Sequence, residues 1–243
     1  MKIQGLQKTT LLDYPGHVAA TIFLGGCNFR CPFCHNMNIV DPDFSKDESL
    51  KNEYTEEEVL SFLEKRNGIL EAVCITGGEP TLYNDLPEFI KKIKGIGTYK
   101  IKLDTNGTNS KMLQMLINDG LIDYVAMDIK SSEEKYYESI GLDNKTSNIN
   151  AIIDRVKESI NILINSEIEY EFRTTIVDKL HTKEEIIGIG KLIKGAKRHY
   201  LQSFKDSEYV LDHSLSSVDK EKLLQFQNIM ATYVNEASIR GVD

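Results

Sequence analysis

The order of apolar segments predicts an α/β fold built as a partial, TIM-like (β/α)6 barrel. Three observations carry this expectation. Short β-prone runs alternate with segments of helical period between residues 18 and 204, and strands separated by helices pair in parallel through right-handed crossovers. Polar or glycine-rich clusters directly follow most of those runs, at the strand ends where such barrels carry their chemistry. The 243 residues of the chain suffice for one core of this kind.

Taken in order, residues 1–17 read as an amino-terminal loop on the substrate side, and Val18 to Leu24 as the first strand. A helix from Glu56 to Arg66 is announced by a capping box, because the Thr55 hydroxyl and the Glu58 carboxylate can satisfy two otherwise orphan amides; Asn67-Gly68 ends it. Ala72 to Thr76 is the second strand and Leu86 to Ile93 its helix. Tyr99 to Leu103, Tyr124 to Ile129, Tyr170 to Val177 and Arg198 to Gln202 continue the strands. Lys111 to Asn118, Ile149 to Ile164 and Lys183 to Ile193 supply helices between them, the last with a second capping box in Thr182 and Glu185. A final outer helix is expected over about Val218 to Ala237. The whole chain, 1–243, reads as a single domain with its barrel core at about 18–204.

A net charge of −8 argues against a nucleic-acid binder, which needs a clustered basic surface. No run of 18 apolar residues marks a membrane span, and Met1-Lys2-Ile3-Gln4-Gly5 does not lead into a signal-peptide core. A cytoplasmic protein with reduced thiols is expected.

Three of the four cysteines fall in Gly25-Gly26-Cys27-Asn28-Phe29-Arg30-Cys31-Pro32-Phe33-Cys34-His35-Asn36. Cys27, Cys31 and Cys34 suit an iron–sulfur cluster with one iron left open, since full ligation takes four thiolates. The fourth, Cys74, lies in Ala72-Val73-Cys74-Ile75 and reads as core. A zinc site would need four ligands, and His35 directly follows Cys34, where convergence on one tetrahedral ion is poor. A disulfide framework does not suit cysteines this sparse.

The spacing Cys-x3-Cys-x2-Cys, with aromatic Phe33 before the last cysteine, resembles the signature of the radical S-adenosylmethionine (SAM) enzymes. The resemblance implies that three cysteines bind three irons of a 4Fe-4S cluster and that SAM chelates the fourth. Thr76-Gly77-Gly78-Glu79-Pro80 resembles the family's Gly-Gly-Glu-Pro motif. There a glycine pair admits close backbone approach and a carboxylate can take the SAM ammonium. Asp104-Thr105-Asn106-Gly107 and Asp128-Ile129-Lys130 resemble runs that shape the SAM pocket in the activating enzymes of glycyl-radical enzymes. A polar turn remains the alternative for the first. A simple ion pair remains open for the second, because Asp128 and Lys130 share a strand face, although isolated charge in a barrel interior is costly. Arg173 matches an arginine of those enzymes, or serves as a buried carboxylate partner. No histidine stands where the pyruvate formate-lyase activating enzyme uses one on the ribose; Gln202 is the candidate replacement, and His199 reads as a strand-edge or surface residue.

The run from Gly5 to Gly16 looks like the start of the longer-type activating proteins of anaerobic ribonucleoside-triphosphate reductase. Asp13, Pro15 and Gly16 match a loop near the peptide substrate, and Tyr14 departs from it. The resemblance thus implies an oxidoreductase that reductively cleaves SAM to a 5′-deoxyadenosyl radical, which takes a hydrogen from a glycine of a partner enzyme, with anaerobic ribonucleotide reductase as that partner. With no further cysteine-rich segment, electrons would come directly from flavodoxin or ferredoxin. An activase of another glycyl-radical enzyme, and a small-molecule enzyme such as 7-carboxy-7-deazaguanine synthase, stay open as alternatives.

Overall fold

Parallel pairing of Ala19–Leu24 with Ala72–Gly77, and of the latter with Lys100–Thr105, organises the amino-terminal part of the chain. The computed structural model describes residues 1–41, 54–142 and 148–242. It divides into two units, one of Met1–Asn28, Asn38–Thr105 and Lys111–Val125, the other of Phe29–Met37, Asn106–Ser110 and Ala126–Asp243.

In the first unit β1 (Ile3–Thr10) pairs antiparallel with β2 (Ala19–Leu24) through two irregularities of register. A short α1 (Met37–Val40) follows the cysteine loop, and α2 (Glu56–Arg66) carries the expected capping box of Thr55 and Glu58. Glu56, Glu57 and Glu58 in its first turn and Lys65 and Arg66 in its last complement the helix dipole. β3 (Ala72–Gly77), α3 (Leu86–Ile96), β4 (Lys100–Thr105) and α4 (Ser110–Asn118) complete this part. Leu86, Phe89, Ile90 and Ile93 make the buried stripe of α3, the spacing of an amphipathic helix.

β5 (Tyr124–Asp128) begins in the first unit and ends in the second. The second unit continues with α5 (Tyr136–Ser139), α6 (Ile149–Ile164), β6 (Glu169–Ile176), α7 (Lys183–Leu192), β7 (Arg198–Ser203), α8 (Lys220–Met230) and β8 (Glu236–Arg240). β6, β7 and β8 are parallel. The expected α/β class with a mostly parallel strand arrangement is therefore what the chain adopts. Among the described residues no helix is long and apolar enough to cross a membrane.

Two strands stand where the sequence predicts none. β1 occupies much of the expected amino-terminal loop; its Gln7, Lys8 and Thr9 are exposed, so it lacks the alternation that marks a strand with one buried face. β8 replaces the end of the expected helix over Val218–Ala237. Helix α8 stops at Met230 because the chain beyond is captured by tertiary contacts: Gly195 donates to Tyr233 O at 2.9 Å, and Asn235 and Glu236 donate to Ala196 O and Lys197 O at 3.0 and 3.1 Å. A side chain at Gly190 would collide with the Tyr233 ring, its Cβ 2.4 Å from Cδ2.

His199 is also placed differently from expectation. It is fully buried on β7, one ring nitrogen lies 2.9 Å from Thr174 Oγ1, and Nδ1 has no hydrogen-bond partner. Burial pushes its pKa down to about 3. Above the ordinary histidine value the ring is neutral whether the chain is folded or not. As the pH falls below it, the unfolded chain takes a proton that the folded one refuses, so stability is lost. We expect this group to add about 1.4 kcal/mol per pH unit to the stability slope between pH 6 and 4. Urea denaturation at several pH values should show that increment in the native protein and its loss in His199→Gln; parallel slopes would contradict it.

Candidate active site

The candidate residues fall in both units, and each set is built by its own strands. In the first unit, β3 ends on Gly77, with φ at +122°. A Cβ there would fall 2.3 Å from Leu24 O, and one at Gly78 would fall 1.8 Å from Gly26 O and 3.3 Å from Cys27 Cβ. The glycine pair thus lets β3 run into the start of the cysteine loop. Gly78 N donates to Leu24 O at 2.8 Å and Glu79 N to Gly26 O at 2.9 Å. Gly26 N in turn donates to Ile39 O at 2.9 Å, closing the loop that carries the three cysteines.

Glu79 is fully buried. Its Oε1 accepts from Thr81 N at 3.1 Å, from the Thr81 hydroxyl, and from Thr105 Oγ1 at 2.8 Å. This carboxylate therefore caps the 3-10 turn Pro80–Leu82, in addition to whatever ligand it meets, and Thr105 serves it directly.

Asp104 accepts from Thr76 Oγ1 at 3.3 Å and is paired with the ammonium of Lys102. Lys102 is 2% exposed and is a residue the sequence reading missed. The signal was present: in Lys100-Ile101-Lys102-Leu103-Asp104, positions 102 and 104 share one strand face. Thr21, Cys74 and Lys102 are in register across β2, β3 and β4. The Cys74 thiol is pushed up to about 12, chiefly by burial, with Lys102 opposing and Asp104 and Asp13 adding to the rise. Thr21 Oγ1 donates to Asp13 Oδ2 at 2.6 Å.

The expected substrate loop has definite structural duties. Tyr14 is buried against Ala19, Ala72, Cys74 and Tyr124, with its ring centroid 4.9 Å from that of His17. Ala19 and Ala72 open their strands, so Tyr14 sits at the amino ends of β2 and β3, opposite the end that carries Gly77 to Glu79. Pro15 and Gly16, the latter at φ +77°, make the turn that His17 N closes onto Tyr14 O at 3.2 Å. Of the four, Asp13 is the one whose carboxylate joins the polar row of Thr21 and Cys74.

In the second unit, Cys31 and Phe33 are buried and Cys34 is half-buried. Their loop is pinned by Arg30 N to Ile140 O at 2.9 Å and by Asp212 N to Pro32 O at 3.0 Å. Gly141, with φ +67°, lies against Arg30 O, which a Cβ would meet at 1.9 Å. Asp128 receives Lys130 Nζ on Oδ2 and Arg173 Nε on Oδ1, each at 2.9 Å. Burial opposes its charge, but Arg173 and then Lys130 outweigh that and hold the carboxyl well below the usual range. Burial likewise opposes the charge of Lys130, yet Asp128 and then Cys31 keep its ammonium above the usual range. The ion-pair reading of Asp128-x-Lys130, and the reading of Arg173 as a buried carboxylate partner, are what the structure shows, in one trio.

Gln202 lies in β7 beside Thr175 of β6 and Arg240 of β8. Arg240 holds Glu171 through two bonds of 2.8 and 3.0 Å, and its guanidinium carbon is 3.3 Å from the Tyr200 ring centroid. The sequence reading misses this group because it expects a last helix to about Ala237 and no strand beyond it.

The chemistry of the donors fits an iron–sulfur cluster: Cys27 in the first unit and Cys31 and Cys34 in the second are thiols outside any disulfide, and a cluster asks each for a different iron. Cys74, buried in the core, does not fit a thiolate ligand. His35 is exposed and its ring lies 5.6 Å from that of Phe204. Among the described residues no three His, Cys, Asp or Glu side chains converge on one metal ion.

Residues 21–169 match the model of the Radical SAM superfamily. The chain is 30% identical over 243 residues to a Methanocaldococcus jannaschii protein that carries the name glycyl-radical enzyme activating enzyme, covering 99% of this chain and 96% of that one. It is 31% identical over 147 residues to 7-carboxy-7-deazaguanine synthase of Methanothermobacter thermautotrophicus, 58% of this chain and 53% of the synthase. Among solved structures, Streptococcus suis SuiB bound to S-adenosylmethionine matches with a TM-score of 0.57 at 14% identity, over 90% of this chain and 48% of SuiB. The chain thus spans about half of SuiB, and that likeness concerns the fold.

The Lys102–Asp104 pair gives a test. Lys102→Met leaves Asp104 without its cation and should cost about 2–3 kcal/mol. Lys102→Met with Asp104→Leu should recover most of that loss in chemical denaturation. A single variant as stable as the native protein would show that the pair is not a coupled buried unit.

Proposed function

This chain belongs to the radical SAM superfamily and is of the activating-enzyme type, and we propose that its substrate is a glycine in a partner polypeptide, that of an anaerobic ribonucleotide reductase. The observation that carries the reading is length: similarity to the M. jannaschii activating enzyme runs over nearly the whole of both chains, whereas similarity to the deazaguanine synthase stops at about half. The amino-terminal run Gly5 to Gly16 adds the resemblance to reductase activators.

Cys27, Cys31 and Cys34 would hold the 4Fe-4S cluster, which together with bound SAM would supply one-electron reductive cleavage of the sulfonium. The overall reaction takes one electron, from flavodoxin or ferredoxin, SAM, and the α hydrogen of glycine. It yields methionine, 5′-deoxyadenosine and a glycyl radical stored on the partner. The chain's residues bind, orient and exclude water. Phe33 is packed beside Cys34 and fixes the loop. Gly77 and Gly78 offer backbone at the end of β3, and Glu79, held by Thr81 and Thr105, sets that backbone's direction and presents negative charge toward the SAM ammonium. Asp128 stays ionised because Arg173 and Lys130 are beside it; it and Asp104, which is paired with Lys102, take the donors of the nucleoside and amino acid. Gln202 is assigned to the ribose. Asp13 is assigned to the substrate segment, with Tyr14, Pro15 and Gly16 setting its position.

Two measurements test the reading. Anaerobic reconstitution should give about four irons per chain, with SAM cleavage abolished by alanine at Cys27, Cys31 or Cys34 and retained in Cys74→Ala. Mixed with the reductase, SAM and a reductant, the protein should generate a glycyl-radical doublet in electron paramagnetic resonance. Cleavage of SAM with no such signal from the reductase or from any glycyl-radical enzyme would transfer the assignment to a small-molecule substrate.

A further inference from the structure

His181 is a buried residue that the proposed chemistry does not use. It lies in the second unit, in the loop after β6, and its solvent exposure is 0%. Its amide donates to Val177 O at 3.0 Å, while its Nδ1 accepts from Val177 N, also at 3.0 Å. Nδ1 therefore carries no proton. The proton is on Nε2, which stands 2.9 Å from Lys130 O; a carbonyl only accepts, so Nε2–H donates. One tautomer satisfies both contacts, and no rotation of the ring does the same.

The loop that His181 closes contains Lys179, the only non-glycine residue with positive φ among those described, at 69°. Such a backbone persists where surrounding bonds over-determine it, and the two bonds between His181 and Val177 do so here. The third contact of the ring is an edge approach to Phe33, with centroids 6.4 Å apart and planes at 68°. One imidazole thus touches the residue preceding Cys34, the main chain at the carboxyl end of β5, and the loop after β6. The trio of Asp128, Lys130 and Arg173 stands on the β5 end so held; Ile129 N also donates to Arg173 O at 2.8 Å.

We infer that His181 is a positioning residue: through the Lys130 carbonyl it sets the direction of the β5 terminus, and so of the Asp128 and Lys130 side chains, toward SAM. It touches neither cofactor nor substrate. The inference rests on the assignment of SAM to this trio, and its test separates the two. The bond to Lys130 O has a specific substitute. The amide nitrogen of glutamine reaches the place of Nε2, whereas asparagine reaches only that of Nδ1.

The experiment measures SAM affinity by anaerobic calorimetry on cluster-loaded protein, together with iron content and the change that SAM causes in the electron paramagnetic resonance of the reduced cluster. Loss of one buried bond should weaken SAM binding about tenfold in His181→Phe and His181→Asn, and by less than about threefold in His181→Gln. Iron content should hold in all three. At a SAM concentration that saturates the native protein, the spectral change should be reduced in the Phe and Asn variants and retained in Gln. His199→Phe, at a buried histidine whose ring bonds Thr174 rather than Lys130, serves as the stability control and should leave affinity within about twofold. Should His181→Phe not fold, the comparison of Gln with Asn decides alone. Equal affinity in Gln and Asn, or a loss in His199→Phe as large as at His181, overturns the inference. If the native protein itself does not bind SAM, the functional reading fails first and the positioning role falls with it.

Discussion

The contact on which the first unit depends is one of backbone on backbone, where Gly77 and Gly78 at the end of β3 meet Leu24 and Gly26. The last rung of the β2–β3 pairing is Leu24 with Gly77, and hydrogen bonding continues beyond it through Gly78 and Glu79. The turn that bears Cys27 is consequently bonded to the sheet rather than hung from it. No side chain can be inserted at 1.8 Å from a carbonyl oxygen, so glycine at 78 is required by the protein itself before any ligand is considered. A motif understood as room for a small molecule is equally room for the cysteine loop. Gly26 and Ile39 close the ends of that loop, and the position of Cys27 is inherited from this contact.

Charge is handled by a second rule, applied in each unit. Acids at the strand ends are paired within the fold: Asp104 with Lys102 on β4, and Asp128 with Lys130 and Arg173. Burying a carboxylate alone would drive it to the neutral form. At Asp128 the adjacent cations keep the carboxylate ionised, and in each unit the pairing fixes the acid's direction, which is useful for gripping a cationic and hydrogen-bonding ligand. Glu79 is handled by neutral donors instead, two threonine hydroxyls and an amide. Three acids are thus preorganised by different means.

What was legible in the sequence follows from these same constraints. β2 to β7 and the longer helices between them carried local signals, namely apolar runs and capping boxes at Thr55 and Thr182, and form close to their expected bounds, whereas the four-residue helices α1 and α5 carried none. The cysteines, the glycine pair and Asp128-x-Lys130 were legible because spacing and period fix where they fall. β1 and β8 were not, since edge strands with half-exposed residues lack alternation and are defined by what they pair with. His199 and His181 illustrate the other limit: burial of a single histidine is decided by segments far apart in the chain, and nothing adjacent to it in sequence announces that. Tyr14, where the chain departs from the matched loop, has a structural duty instead, with the ring packed under the strands while Asp13 beside it reaches the polar row.

The central claim is that contact at Gly78 places Cys27 and the start of the cysteine loop, and a pair of glycine variants tests it most directly. Gly95, in α3, has nothing within 4 Å of an added Cβ. Iron per chain after anaerobic reconstitution should fall from about four to below about one in Gly78→Ala, while Gly95→Ala should keep its full complement. Full iron loading and SAM cleavage in Gly78→Ala would contradict the account, because the loop would then hold its thiols in place without the backbone contact.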